Sequence, residues 1–173
     1  MTVDIGTPPQ SVQVFIDTGS YELWVNPKCK TSADPDLCNS YGIYYPRKSN
    51  SASFVGGNFD IAYGTGSVRG QYWSDTMGIA SRWPPKPWFY VAANGDKVFQ
   101  VPAVQFAVAS DSNYTFSGIL GLGYTYPYSI PYPSVLNLMV AQKLIGAPIF
   151  SLGLGGEMDG FSELTSGYWA TLF

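Results

Sequence analysis

Glycine and proline recur along the whole chain, and this repeated interruption is the feature that most limits how the sequence can fold. The 173 residues include 19 Gly and 13 Pro. Many of the stretches between them alternate apolar and polar residues, as strands with one buried face do. We therefore expect one mostly-β domain, with a real core, made of many short strands joined by turns.

Five stretches carry this strand prediction. Residues 11–16 alternate and then become continuously apolar, which indicates a strand that enters the core, and residues 23–25 continue as a second strand after a turn. Residues 59–77 resemble a hairpin around a Gly-Thr-Gly turn, and residues 98–110 resemble a pair of strands. A last strand is expected within "APIFSLGL", near the end of the chain.

One main helix is expected near residues 134–145. In "PSVLNLMVAQKLIG", Pro133 precedes the apolar pattern, Ser134 is a candidate N-cap, and Gly146 follows its end. The dense apolar and glycine run "SGILGLGY" suits close backbone packing. Two segments without periodicity are expected to be surface loops: 46–58 and the Pro-rich, aromatic 82–97.

The absence of histidine restricts the chemistry. With no His and only two Cys, the chain lacks Ser-His-Asp and Cys-His catalysis and the common zinc sites. Acid–base chemistry then falls to Asp, Glu, Lys or Tyr, and paired carboxylates at low pH fit an acidic chain of net charge −3 best. We expect no metal and no cofactor. Scattered Lys and Arg argue against nucleic acid, and "GTGSVRG" has Arg where a dinucleotide fingerprint needs Gly.

Cysteine usage points to an oxidising compartment. Cys29 and Cys38 enclose the polar segment "CKTSADPDLC", where a disulfide staple is favoured over a redox or metal pair. Asn113 begins an Asn-Tyr-Thr sequon, a candidate N-glycosylation site. No apolar stretch approaches the roughly 20 residues that span a bilayer, so we expect no membrane partner. We predict a secreted, extracellular or vacuolar protein, although "MTVDIGTPPQ" shows no signal peptide.

A single carboxylate, Asp17, stands where the apolar strand of "VFIDTGSYELWV" meets a Thr-Gly turn. Gly19 allows the chain to turn tightly, and the hydroxyls of Thr18 and Ser20 are available to anchor the loop and bond the carboxylate. A capped surface turn explains Asp and Gly equally well. A Gly-rich hairpin that carries Tyr63 follows, and this setting favours a catalytic carboxylate.

Together these motifs resemble the N-terminal lobe of the pepsin-like aspartic proteases, peptidase family A1. The matching pieces occur in family order from residue 3 to about residue 155. They are "IGTPPQ", "DTGSYELWV" with the nearby Cys pair, "YGTGS", "GQYWSDT", "FSGILGLGY" and "LMVAQKLIGAPIFSLGL". The resemblance implies a single acid-protease β-barrel lobe and an aspartic-type endopeptidase that hydrolyses peptide bonds at acid pH.

The resemblance also implies roles for the residues at matching positions. Asp17 corresponds to one of two catalytic aspartates that activate a water, within an active-site loop of Thr18, Gly19 and Ser20, where Ser20 bonds the Asp17 carboxylate. The flap that closes over substrate corresponds to Tyr63, Gly64, Thr65 and Gly66, with Tyr63 hydrogen-bonded to Trp24. Phe116 and Ile119 correspond to the lining of the primary hydrophobic pocket, although ordinary core packing explains Phe116 equally well.

The pattern departs from the family in what surrounds Asp17. Family members pair two carboxylates that share one proton, whereas this sequence has one Asp-Thr-Gly; Asp75-Thr76 is followed by Met77. Ser117 stands where the family usually has Asp, which should weaken a local hydrogen bond. We expect residues 1–173 to form one N-terminal lobe, with a clipped first strand, a divergent tail from about residue 157 and no C-terminal lobe.

Two functions follow from this departure. The chain could be half of an aspartic endopeptidase that acts on peptide or protein substrates once a second Asp-bearing lobe joins it, either a C-terminal half or a second copy. Retroviral aspartic proteases, with one Asp-Thr-Gly per subunit, show by analogy that dimerisation supplies the missing carboxylate. The alternative is an inactive, truncated lobe that binds peptides or proteins.

Overall fold

A computed structural model describes residues 1–25, 28–32, 34–64, 66–81, 89–91, 97–113, 117–124, 130–153 and 169–172. These residues form ten strands and two α-helices. The strands are β1 Thr2–Ile5, β2 Gln10–Asp17, β3 Leu23–Val25, β4 Ser53–Tyr63, β5 Gly66–Ser81, β6 Phe89–Val91, β7 Lys97–Asn113, β8 Gly118–Gly121, β9 Phe150–Gly153 and β10 Trp169–Leu172. The helices are α1 Pro35–Ser40 and α2 Val135–Ala141.

The larger sheet closes on itself as a barrel. Its hydrogen-bonded order runs β5, β1, β2, β8, β3, β7, and β7 pairs again with β5 to complete the ring. Strands β4 and β6 extend the sheet from β5 and β7, and β9 pairs with β10 in a separate two-stranded sheet. This architecture confirms the predicted mostly-β fold of a pepsin-like lobe.

Alternation along the strands builds the main core inside this barrel. Along β2, Val12 and Val14 are buried while Gln13 and Phe15 face outward. The strand was expected to enter the core with its last residues, but Phe15 lies outside it. Its ring packs edge-on against Tyr41, with ring centroids 5.9 Å apart. The core continues with apolar side chains from β1, β3, β5, β7, β8 and α2, among them Val3, Ile5, Leu23, Met77, Phe106, Leu120 and Met139.

The pair of strands expected over residues 98–110 is one long strand. Pro102 does not end it, because the ladder with β5 shifts register there: Asp75 pairs with Val104 and Met77 with Val101. Ala103 sits in this irregularity with a φ of 55°. A bulge of this kind tolerates a residue that lacks an N–H donor.

Two predicted surface loops are partly strand. The segment over 46–58 becomes β4 from Ser53 onward, with register shifts around Gly56, so the glycines that suggested a loop mark bulges instead. Within 82–97, residues Phe89–Val91 pair with β7 as β6. Residues 82–88 and 92–96 lie outside the described residues.

The main helix is shorter than expected. Ser134 caps it as predicted, its side chain accepting from Asn137 N–H, but the helix ends at Ala141. A turn follows, in which Lys143 adopts a φ of 60°. Helix α1 was not predicted; Asp34 caps it by accepting from Leu37 N–H, and Pro35 occupies its first turn. Neither helix of the described chain has the length and apolar character that crossing a membrane requires.

Candidate active site

The strand β8 threads between β2 and β3 and holds the Asp17 loop in place. Asp17 ends β2 in parallel register with Gly121. Leu122 N–H donates to Asp17 C=O at 2.8 Å, and Gly123 N–H donates to Ser20 C=O at 2.7 Å. The loop is therefore anchored by backbone hydrogen bonds at both its ends.

Glycine makes this threading sterically feasible. A Cβ on Gly121 would lie 2.6 Å from Glu22 N, and one on Gly118 would lie 2.5 Å from the Trp24 carbonyl oxygen. Contacts this short are not compatible with any side chain. The close packing expected for "SGILGLGY" is present.

The carboxylate of Asp17 turns back onto its own loop. Its Oδ1 accepts a hydrogen bond from Gly19 N–H at 2.8 Å, and the side chain is only partly buried. The neighbouring Thr18 and Gly19 are exposed. Asp17 thus has one carboxylate oxygen held by the backbone and remains accessible to water.

The predicted hydrogen bond from Ser20 to Asp17 is absent. Ser20 Oγ is buried and has no partner at hydrogen-bonding geometry among the described residues. The Ser20 hydroxyl lowers the pKa of Tyr63, against the larger effect of burial. The Asp17 carboxylate accepts from Gly19 N–H instead.

The β4–β5 hairpin brings Tyr63 to the same region. Tyr63 pairs with Gly66 at the hairpin tip, and Trp24 Nε1–H donates to its hydroxyl at 2.7 Å. Trp24 itself is completely buried. The hydrogen bond implied by the family resemblance is therefore present. Thr65 lies outside the described residues.

Tyr63 stays protonated in this environment. Burial raises the pKa of Tyr63 to about 12, the Trp24 hydrogen bond opposes the shift, and the charges of Asp17 and Glu22 add to it. Both carboxylates are thus within electrostatic reach of the phenol. Because Trp24 donates to the Tyr63 oxygen, the phenolic proton remains available to another acceptor.

Of the two predicted pocket residues, the structure describes one. Ile119 lies on β8, partly buried, and packs against the cluster that contains Trp24 and Tyr63. Phe116 lies outside the described residues. Ser117, which precedes β8, donates from Oγ to the Gln13 carbonyl at 2.9 Å, so the shorter side chain still ties β8 to β2.

The predicted disulfide is present, and the sequon remains a prediction. Cys29 and Cys38 are bonded, with Cα atoms 5.4 Å apart, and both are buried. The bond joins a short 3₁₀ turn to α1. Asn113 ends β7 opposite Ser67, and its side chain lies outside the description.

Sequence analysis missed a carboxyl group next to this site. Glu22 is only 9% exposed, and Tyr72 Oη lies 3.0 Å from each of its carboxyl oxygens. Burial raises the pKa of Glu22, while the hydrogen bond from Tyr72 and the nearby hydroxyl of Tyr132 lower it in part. The signal in the sequence is a carboxylate inside the apolar run "YELWV", where an unpaired charge would be costly.

Within the described ranges, no hydrogen bond or ion pair joins Asp17 to a second carboxyl group. Its hydrogen-bond partner there is the Gly19 amide, and Glu22 is bonded to Tyr72 instead. The same residues contain no group of three or more His, Cys, Asp or Glu side chains that could hold a metal ion. The site as described therefore presents one water-accessible carboxylate beneath a tyrosine-bearing hairpin.

Comparison with known proteins agrees with this geometry. Residues 1–171 match the family described as eukaryotic aspartyl protease. The chain is 36% identical to cathepsin E of Mus musculus over 96% of its length, and 33% identical to gastricsin of the same species over 90%. Pepsin-2B of Gadus morhua is 31% identical over 95% of the chain. The chain spans 39% of the cathepsin E sequence, 36% of gastricsin and 47% of pepsin-2B. It belongs to the eukaryotic aspartyl protease family.

Proposed function

We propose that this chain supplies one catalytic carboxylate of an aspartic-type endopeptidase. The observation that carries the proposal is the placement of Asp17: at the end of β2, anchored by β8, partly exposed, and within electrostatic reach of Tyr63. A carboxylate held by a backbone amide and open to water is suited to act as a general base. Family membership makes peptide bonds the expected substrate.

In the proposed reaction, Asp17 accepts a proton from water as the water oxygen bonds to the peptide carbonyl carbon. A second carboxyl group, protonated, donates a hydrogen bond to the carbonyl oxygen and stabilises its developing charge. Collapse of the tetrahedral intermediate breaks the C–N bond, and the amine leaves with the proton that Asp17 took up. Tyr63 and the hairpin tip would cover the bound peptide, with Ile119 beside it. No metal or cofactor takes part.

The second carboxyl group is part of the proposal. Two carboxylates in contact share one proton, and this pairing allows one to act as base while the other donates. We propose that an Asp-bearing second lobe provides it, either from further sequence of the same protein or from a second copy of this chain.

A non-catalytic role in peptide or protein binding is the second candidate. One observation that favours it is the single carboxylate described at the site. Another is Tyr124, which is 87% exposed and directly follows Gly123, whose N–H bonds the Ser20 carbonyl. An exposed aromatic next to the Asp17 loop is suited to contact a partner. Binding would need no second carboxylate.

We propose a secreted, extracellular or vacuolar location for either function. The Cys29–Cys38 disulfide supports it, because disulfides persist in oxidising compartments. Asn113, if glycosylated, would place the chain on the same route.

The test is cleavage of a peptide library at about pH 3 to 5, over a series of chain concentrations. Asp17→Asn should abolish any cleavage, whereas Asp60→Asn, which alters an exposed carboxylate on the hairpin, should not. A rate that grows with the square of concentration would support assembly from two copies. Cleavage that survives Asp17→Asn would overturn the carboxylate role of Asp17. No cleavage, together with saturable peptide binding, would favour the binding function.

A further inference from the structure

Glu22 connects two parts of the molecule that are far apart in sequence. It follows the Asp17 loop and directly precedes β3. Its carboxyl group meets Tyr72 of β5, with the phenol oxygen 3.0 Å from both carboxyl oxygens. Tyr72 thus reaches past the intervening strand β7 to bond the segment that carries the candidate catalytic loop.

Tyr72 also packs against the apolar side chains around Trp24. In register, Ala107 of β7 lies between Tyr72 on β5 and Trp24 on β3. The ring of Tyr72 packs edge-on against Phe59 of β4, with centroids 5.8 Å apart. These side chains belong to a small apolar cluster with Trp24, Phe59, Val68, Ala107 and Ala109 at its centre.

A third tyrosine encloses the same carboxyl group. Tyr132, which precedes α2, stacks edge-on against Tyr72 with centroids 5.7 Å apart. Burial and the charge of Glu22 both raise the pKa of Tyr132. The groups next to Glu22 are therefore Tyr72 from β5 and Tyr132 from the segment before α2, while the charge of Glu22 also acts on Tyr63 of β4 and raises its pKa.

We infer that Glu22 is a positioning residue: by accepting the Tyr72 hydroxyl it fixes the hairpin strand to the Asp17 segment, and so holds Tyr63 in its hydrogen bond with Trp24. The carboxyl group touches no substrate in this role. Its relevance to peptide hydrolysis rests on the proposed function, but its effect on the Trp24–Tyr63 pair does not. Glu22 and Trp24 are two positions apart on one segment, whereas Tyr72 and Tyr63 lie on the two strands of the hairpin.

The test uses the Trp24 indole N–H as a reporter in the ¹⁵N-labelled, 173-residue chain, with Trp24→Phe to assign its signal. Hydrogen exchange of this N–H measures opening of the bond to Tyr63. Glu22→Ala and Tyr72→Phe should each speed exchange about fivefold or more, as expected for loss of one hydrogen bond. Glu22→Gln keeps an acceptor oxygen, so its exchange should be as slow as that of the wild type. Asp60→Asn is the matched control on the hairpin surface.

A pH series separates this role from simple packing. In an Asp17→Asn background, the NMR chemical shift of the Trp24 indole N–H should change with pH as Glu22 titrates. This pH dependence should vanish when Glu22→Gln is added. Wild-type exchange in a folded Tyr72→Phe variant would overturn the inference. The inference would also be overturned if Glu22→Gln lost as much protection of the Trp24 indole N–H as Glu22→Ala does. The same holds if Asp60→Asn lost that protection. If Glu22→Ala fails to fold, Tyr72→Phe decides, because it keeps the ring. None of these readouts depends on peptide cleavage.

Discussion

The Asp17 loop and the hairpin that faces it are held by different means. The loop is fixed by backbone hydrogen bonds to β8, at glycines where any side chain would collide with neighbouring backbone. At the hairpin tip, an added Cβ on Gly64 would meet nothing within 4 Å, and Tyr63 is secured by one side-chain hydrogen bond. The difference suits the proposed roles of Asp17, as a catalytic carboxylate that stays in place, and of the hairpin, as a cover that opens and closes.

Replacing one glycine in each region should give the largest difference in stability between the two regions. Gly121→Ala should destabilise the chain by more than about 3 kcal/mol or prevent folding, since its Cβ would press on Glu22 backbone atoms at 2.6 Å. Gly64→Ala should change stability by less than about 0.5 kcal/mol. Chemical denaturation of both variants checks this. A mild effect of Gly121→Ala would mean that β8 has room to move and that the loop is not rigidly held.

A smaller effect should follow from removing the one hydrogen bond that secures the hairpin tip. Tyr63→Phe leaves the Trp24 indole N–H buried without its acceptor, which should cost about 1–2 kcal/mol in the free energy of unfolding. Tyr63→Ala also removes a partly buried ring that packs against Trp24, so it should cost more stability than Tyr63→Phe. Because Tyr63 lies at the hairpin tip, we still expect the loss of peptide turnover in any active assembly to exceed the loss of stability. Thermal unfolding and turnover, measured on the same variants, make this comparison. A stability loss as severe as the loss of turnover would show that the tip is part of the core.

The smallest effect should be a change in how the stability of the chain depends on pH, and it should come from Glu22, which bonds Tyr72 of the hairpin strand β5. Burial holds the pKa of Glu22 above its unfolded value. Its contribution to stability is therefore fully present below the unfolded pKa and is lost as the pH rises through the folded pKa. Glu22→Gln should accordingly lose less stability than wild type between acid and neutral pH.

Melting temperatures at several pH values, compared between wild type and Glu22→Gln, measure that difference. Asp60→Asn, on an exposed ion pair, should keep the wild-type dependence. Identical pH dependence in wild type and Glu22→Gln would show that the carboxyl group is not strained by burial, and that side chains and backbone hold the two regions equally well.

The parts of the site that could be predicted are those encoded by local pattern. Asp17 stands at the junction of an apolar strand and a glycine turn, and Ser134 directly precedes a periodic apolar run. The Ser20–Asp17 hydrogen bond was predicted and is absent: the Ser20 hydroxyl has no partner at hydrogen-bonding geometry among the described residues, and the Asp17 carboxylate accepts from the Gly19 amide. The bulge at Pro102 was also unforeseen, since only the partner strand shows that the ladder can shift register there.

The sequence by itself determined the strand-rich fold, the disulfide, the single Asp-Thr-Gly and the hairpin with Tyr63, because each depends on residues that lie near one another along the chain. The Trp24–Tyr63 hydrogen bond was implied by the family resemblance and is present, whereas only the tertiary structure decided the parallel register that sets Asp17 opposite Gly121. It also decided that Tyr72 reaches Glu22 across 50 positions of sequence. Contacts of this kind depend on how the barrel closes, and barrel closure brings together residues whose spacing in the sequence carries no sign of their meeting.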